Sequence, residues 1–261
     1  MSDSKAIGNF YTEFQRRQLN DFIDGNLRVQ MSIELVSAFI PSGPCRLLDV
    51  GCGVGTSSGK LAQRHPALSV LGVDITDANI EVASKLWANE RVRFQRSDMS
   101  TVPSDETFDV VCALDVYEHI PVDNRSAFHN TVRSMLTENG IIIVTTPSPL
   151  HQNWLKSNEP EGLQIVDETV GLSDINEFAK DLGATVILHR WVDIWYTNQY
   201  CYTIMSKSPL YQPIPGLVSK LASRKFGSTR RGLHQISARV LDWLPRHLRR
   251  RKVNQALAKR S

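Results

Sequence analysis

Two spacings of apolar residues divide this chain. From 47 to 146, short apolar runs alternate with segments whose apolar residues recur at helical spacing. The runs lie at 47–50, 69–74, 91–98, 108–114 and 140–146, and the first three run into an acidic residue near their ends. Helices are expected between them at 55–64, 77–89 and 123–136. Such alternation predicts a parallel sheet with helices on both faces. Before it, residues 10–40 carry Phe10, Phe14, Ile33, Val36 and Ile40 at helical spacing, ended by Pro41. After residue 150 the pattern changes. A helix over 173–182 closes at Gly183, and 184–191 and 199–206 read as a final pair of strands. The expected organisation is a helical cap over 1–40, an α/β domain over 41–206 with an insertion at 150–172, and an extension over 207–261.

The most informative segment is Leu-Leu-Asp-Val-Gly-Cys-Gly-Val-Gly at 47–55. Glycine lets the backbone turn sharply and approach a ligand with no Cβ in the way. A strand feeding such a turn into a helix is a common nucleotide pocket. The dinucleotide fingerprint needs a glycine at position 56, which here is Thr56. Asp49, two residues before Gly51, would repel a pyrophosphate but suits a cofactor carrying positive charge. Asp74, at the end of the second run, is placed to take the hydroxyls of a ribose.

With LLDVGCGVG at 47–55, GVD at 72–74, SDM at 97–99, FDVVCALDVYEHI at 108–120 and GIIIVTTP at 140–147, the chain resembles the class I S-adenosylmethionine-dependent methyltransferases over roughly residues 30–206. The resemblance implies a Rossmann-like, seven-stranded, mostly parallel sheet in the order 3-2-1-4-5-7-6, its last strand antiparallel. It implies S-adenosyl-L-methionine as cofactor, held by Asp49, Gly51, Cys52, Gly53 and Gly55, by Asp74 and Ile75, by Asp98 and Met99, and by Leu114. It also lays the N-terminal segment across the cofactor, with Tyr11 and Phe14 as candidates to face it.

Methyl transfer to a hydroxyl needs an aligned nucleophile and a proton acceptor within reach. In an open α/β sheet, ligands sit at the carboxyl ends of the strands. His119 after the fourth strand, His151 after the fifth and Asp167 in the insertion are the catalytic candidates. Asp115, Glu118 and His119 match no strong metal signature, and no metal is expected. The Leu-Asp-Val-Tyr segment at 114–117 lacks the Pro-Pro-aromatic turn of enzymes that methylate base amines. The insertion, with 151–155, 163–168 and Ile-Trp at 194–195, loosely resembles glycan-associated bacterial methyltransferases. The expected activity is therefore O-methylation of a sugar, glycan or related small metabolite. A quinone or lipid precursor, RNA, and a non-catalytic cofactor-binding role are the alternatives.

Charge changes the picture at the C-terminus. The overall +3 hides a net −10 over 1–206 and +13 over 207–261. Leu233, Ile236, Val240, Trp243 and Leu244 share a helical face, with Arg246 and 249–252 adjacent. Apolar face, tryptophan and cations suit an anionic membrane surface. Packing on the acidic domain or in a homodimer is the competing reading. Nucleic acid fits less well, because aromatics are not interleaved with the cations. No apolar stretch approaches the ~20 residues that span a bilayer. The N-terminus has no signal pattern, and the four cysteines have no paired spacing. The expected location is the cytoplasm, peripheral to the inner membrane face if the extension docks there.

Overall fold

A computed structural model describes residues 15–101, 105–164, 166–208 and 246–258. Two helices lead in, α1 over 15–24 and α2 over Leu27–Ser37. The 10–40 periodicity is thus broken in two. Gly25 adopts a φ of 88° and Asn26 caps α2, its side chain accepting from Val29 N. Tyr11 and Phe14 lie outside the described residues.

The domain then runs β1 (Cys45–Val50), α3 (Thr56–Arg64), β2 (Leu68–Asp74), α4 (Asp77–Trp87), β3 (Val92–Arg96) and β4 (Phe108–Leu114). It continues with α5 (Val122–Met135), β5 (Leu136–Pro147), α6 (Pro149–Asn158), α7 (Leu172–Leu182), β6 (Thr185–Val192) and β7 (Tyr200–Ser206). The sheet order is β3-β2-β1-β4-β5-β7-β6. β7 runs antiparallel to both neighbours and the remaining pairs are parallel. The seven strands and their order are those implied from sequence.

Each face of the sheet carries its own core. On one, α1 to α4 bury Phe22, Ile33, Val36, Leu61 and Trp87 against β1 and β2. On the other, α5 and α7 bury Phe128, Val132, Met135, Phe178 and Leu182 against β4 and β5. Tyr117 lies in that second core, stacked on Phe178 at 5.0 Å.

Two elements differ from expectation. β5 begins at Leu136 rather than 140, because Leu136 pairs with Phe108 before the register shifts between Phe108 and Val110. The 150–172 insertion is not all loop, since Pro149–Asn158 is helical, started by Ser148, whose Oγ accepts from His151 N.

The extension over 207–261 is also corrected in part. Its residues 232–244, proposed as a membrane helix, lie outside the described residues. The helix α8 (Arg246–Ala258) packs on the acidic domain. Val253 and Ala256 are buried in the α1–α4 core. Arg249 Nε donates to Ile23 O at 2.8 Å, Arg246 pairs with Asp24, and Lys252 Nζ lies over the Trp87 ring at 3.4 Å from its centre. Three of the cations assigned to a membrane therefore have partners in the fold. Among the described residues no helix is long and apolar enough to cross a membrane.

Candidate active site

The glycine turn follows directly from β1. Gly51, Gly53 and Gly55 have φ of 66°, 54° and 76°, a region that costs any residue with a Cβ. A Cβ on Gly51 would lie 2.3 Å from Val116 Cγ2, and one on Gly53 2.6 Å from the Gln18 amide. The turn is thus a cradle open only where side chains are missing. Cys52 N donates to Val73 O at 2.9 Å, which ties the turn to β2.

Both acids sit at this turn, and both are already engaged. Asp49 is almost wholly buried beneath it and accepts from the hydroxyls of Ser57 and Ser58 at 2.5 Å and from the Cys112 thiol at 3.4 Å. Burial pushes its carboxyl up, against those donors. The carboxylate is thus the underside of the turn and fixes the start of α3. Asp74 accepts from Gly53 N at 3.0 Å, Thr76 N at 2.9 Å, Thr76 Oγ1 at 2.7 Å and Asn79 Nδ2 at 3.2 Å. A ribose diol at Asp74 would exchange with one of these donors. Ile75 is half exposed beside it.

Asp98 and Met99 follow β3. Asp98 is exposed and accepts from Ser100, whose hydroxyl and backbone N–H hold its carboxyl below the usual range. Met99 is buried at a φ of 60°. Leu114 ends β4, and Asp115 after it has a φ of 58°. Left-handed non-glycine residues after two strands on the same edge of the sheet are a mark of functional sites.

The acceptor side holds a dense polar network. Arg28 of α2 pairs with Asp115, and its Nη1 also donates to Tyr200 OH at 3.3 Å. Thr145 Oγ1 donates to the same carboxylate at 3.2 Å. Burial raises the Asp115 carboxyl, with Arg28 opposing. Burial, helped by the charge of Asp115, raises Glu118 further, and Glu118 Oε2 has no hydrogen-bond partner among the described residues.

The three catalytic candidates come from three segments, and each has side-chain or backbone partners. His119 Nδ1 donates to Val166 O at 2.8 Å, which leaves Nε2 to accept from Gln164 Nε2 at 2.8 Å. Asp167 accepts from Gln152 Nε2 and, at 3.0 Å, from Gln164 N. His151 Nε2 meets Gln199 Nε2 at 3.0 Å. Its ring stacks with Trp154 and Tyr196 at 6.0 and 5.9 Å and tilts against Tyr200 at 6.4 Å. Burial lowers the His151 imidazolium pKa, opposed by Glu159.

The sequence reading missed Gln18, Arg28, Gln152, Gln199 and Tyr200. All but Gln152, which adjoins His151, reach the site from distant segments, and none of these residue types carries a spacing signal.

The cofactor implied by the resemblance fits this turn. The cradle excludes side chains at three positions, and a buried Gln18 Oε1 without a partner among the described residues lies beside it. Residues 47–140 match the model of a methyltransferase domain. A ubiquinone biosynthesis O-methyltransferase of Bradyrhizobium diazoefficiens is 34% identical over 115 residues, 43% of this chain and 42% of that protein. A malonyl-[acyl-carrier protein] O-methyltransferase of Halalkalibacterium halodurans is 28% identical over 220 residues, 77% of this chain and 78% of that protein. The chain thus spans less than half the length of the first of these relatives. In structure, the magnesium protoporphyrin IX methyltransferase of Synechocystis, crystallised with bound SAH, superposes with a TM-score of 0.61 at 20% identity. That match covers 78% of this chain and all of the other, and it carries the fold alone. The matched methyltransferase domain, over residues 47–140, opens on the same β1–glycine turn that the geometry singles out.

Proposed function

We propose that this protein transfers the methyl group of S-adenosylmethionine to an oxygen of a hydroxylated aromatic acceptor, of the quinone-precursor class. The observation that carries this reading is the aromatic wall at the carboxyl end of β5 and the amino end of the antiparallel β7, formed by His151, Trp154, Tyr196 and Tyr200. Trp154 and Tyr196 remain 38% and 56% exposed, so their rings are available to a ligand. Flat aromatic acceptors gain from offset stacking on such rings. A sugar would stack there too, as the sequence reading expects. The relatives named for ubiquinone biosynthesis favour the aromatic acceptor over the sugar.

Bound at the turn, the cofactor supplies an electrophilic methyl on a positively charged sulfur. The chain's own residues supply position and exclusion. Gly51, Gly53 and Gly55 admit the ligand to the backbone, and Asp49 and Asp74 lock the turn from below and from β2. The Arg28–Asp115 pair closes the edge of β4. Asp167, Gln152 and Gln164 hold the 163–168 segment against α6, which screens the site from water. Orientation and exclusion of water of this kind supply a large part of such a rate.

The test is incubation with 13C-methyl S-adenosylmethionine and either 3,4-dihydroxybenzoate or methyl glucoside, read by mass spectrometry. A labelled methyl ether of the catechol is expected, with little or none of the glucoside. Labelling of the glucoside alone would overturn the aromatic reading.

A further inference from the structure

His151 is the candidate proton acceptor in the wall, yet its surroundings assign it the opposite role. The assignment begins at Gln199. Gln199 Oε1 accepts from two backbone amides, Trp195 N at 2.9 Å and Tyr196 N at 3.2 Å. A flipped amide would set its NH2 against two N–H groups, so the orientation is dictated by the network. The backbone of Gln199 is itself fixed. Its carbonyl accepts from Ser148 N at 2.8 Å, and the neighbouring Asn198 carbonyl accepts from Ser148 Oγ at 2.6 Å. The NH2 of Gln199 therefore faces His151 Nε2, 3.0 Å away, and donates to it.

A neutral imidazole has one N–H and one lone pair. With the lone pair of Nε2 taken, the proton sits on Nδ1. Nδ1 has no hydrogen-bond partner among the described residues. We propose that Gln199 is a positioning residue that locks His151 as its Nδ1–H tautomer. His151 then donates a hydrogen bond to the acceptor oxygen instead of taking its proton.

The location fits. His151 lies one turn past β5, at the same edge of the sheet as the glycine turn. A continuous chain of contacts joins them: Gly51 to Val116, Asp115 to Arg28, Arg28 to Tyr200, and Tyr200 to the His151 ring. The other sequence candidates are also occupied. His119 has a partner on each nitrogen, and both oxygens of Asp167 accept hydrogen bonds.

The role selects a substrate class, and here the inference rests on the O-methyltransferase reading above. The acceptor oxygen must be acidic enough to ionise without a protein base, as a catechol or a carboxylic acid is and an aliphatic alcohol is not. Its proton leaves to bulk water. An oxygen lone pair then forms the new O–C bond while the C–S bonding pair returns to sulfur. The Nδ1–H of His151 holds the oxygen in line and keeps its own proton throughout.

Two measurements on the full chain test this. The first is 15N NMR of the His151 ring at neutral pH, which needs no acceptor. A pyrrole-like Nδ1 and a pyridine-like Nε2 are expected. Gln199→Glu, which still accepts from Trp195 and Tyr196 but offers His151 an acceptor, should reverse the pattern by protonating Nε2. A protonated Nε2 in the wild type would overturn the proposal. The nitrogen spectrum decides the tautomer whether or not a catechol is turned over, so its failure is distinct from failure of the methyltransferase reading.

The second is turnover of 3,4-dihydroxybenzoate by His151→Asn and His151→Ala, with affinity for S-adenosylhomocysteine as the control. Asparagine keeps an N–H donor near the Nδ1 position but has no basic nitrogen. It should stay within about tenfold of wild type, as expected for the reshaping of one hydrogen bond, while alanine falls further. Equal losses of about 10²–10⁴ in both variants, the mark of a lost base, would overturn the donor role.

Discussion

The cofactor side and the acceptor side of this site are built by different means. At the glycine turn, the decisive groups lie within one stretch of sequence, 47–58, closed by Asp74 from the neighbouring strand. Its geometry comes from backbone conformation: three positive φ angles and a buried carboxylate under a helix start. The acceptor side comes from side chains far apart in the chain. Arg28 meets Asp115 and Tyr200, Gln164 meets His119, and Gln199 meets His151. A turn depends on which residues lack a Cβ, so its pattern shows in a local window. A network of long polar side chains depends on which elements end side by side, and no window contains it.

The comparison is broken most severely at Arg28. Arg28→Leu would leave Asp115 half-enclosed beside Glu118 with no cation. Removing one partner of a buried pair costs about 3–5 kcal/mol. Both side chains keep some exposure, 24% and 17%, so a loss nearer 2 kcal/mol is expected, read as a lower urea midpoint. Affinity for S-adenosylhomocysteine should stay within a few-fold, because the turn does not use Arg28. A variant of wild-type stability would show that the acceptor network is not held by this pair.

Glu118 sharpens the same contrast through pH. Its carboxyl is raised by burial and by the charge of Asp115. A raised acid contributes stability that is present below its ordinary pKa and lost as pH rises through the folded value. Glu118→Gln removes that titration. The variant should match the wild type near pH 4 and gain on it, by about 1 kcal/mol or more, by pH 8. Urea unfolding at the two pH values measures this, and a gain at pH 4 instead would reverse the sign.

The smallest effect belongs to α8. Lys252 over Trp87 is a cation–π contact worth about 0.5–1 kcal/mol at a partly exposed site. Burial lowers the Lys252 ammonium pKa to about 8. Lys252→Ala should lower the thermal midpoint by a few degrees at pH 7. No change would detach α8 from the domain in energetic terms.

What could be read beforehand follows the same division. The seven strands were legible because each is an apolar or alternating run with a turn or helix signal at its end, and their order was implied by the resemblance. Gly51, Gly53 and Gly55 were legible as a cradle. Asp49 and Asp74 were legible as members of the site, but not that protein donors already fill both carboxylates. His119, His151 and Asp167 were legible as polar groups after β4, after β5 and in the insertion, but their partners Gln164, Gln199 and Gln152 were not, because glutamine carries no motif. α8 was left open between a membrane surface and packing on the acidic domain, because Val253 and Ala256, which dock on the α1–α4 core, are surrounded by arginines in the sequence.

The central claim is that the β1–glycine turn binds S-adenosylmethionine, and calorimetric titration of S-adenosylhomocysteine into the wild type and Gly53→Val tests it most directly. Gly53 has a φ of 54°, and a side chain there would meet the Gln18 amide. Micromolar affinity, about −8 kcal/mol, is expected for the wild type, with at least a hundredfold loss in a variant that remains folded. Equal affinity in the two proteins would contradict the assignment of the cofactor to this turn.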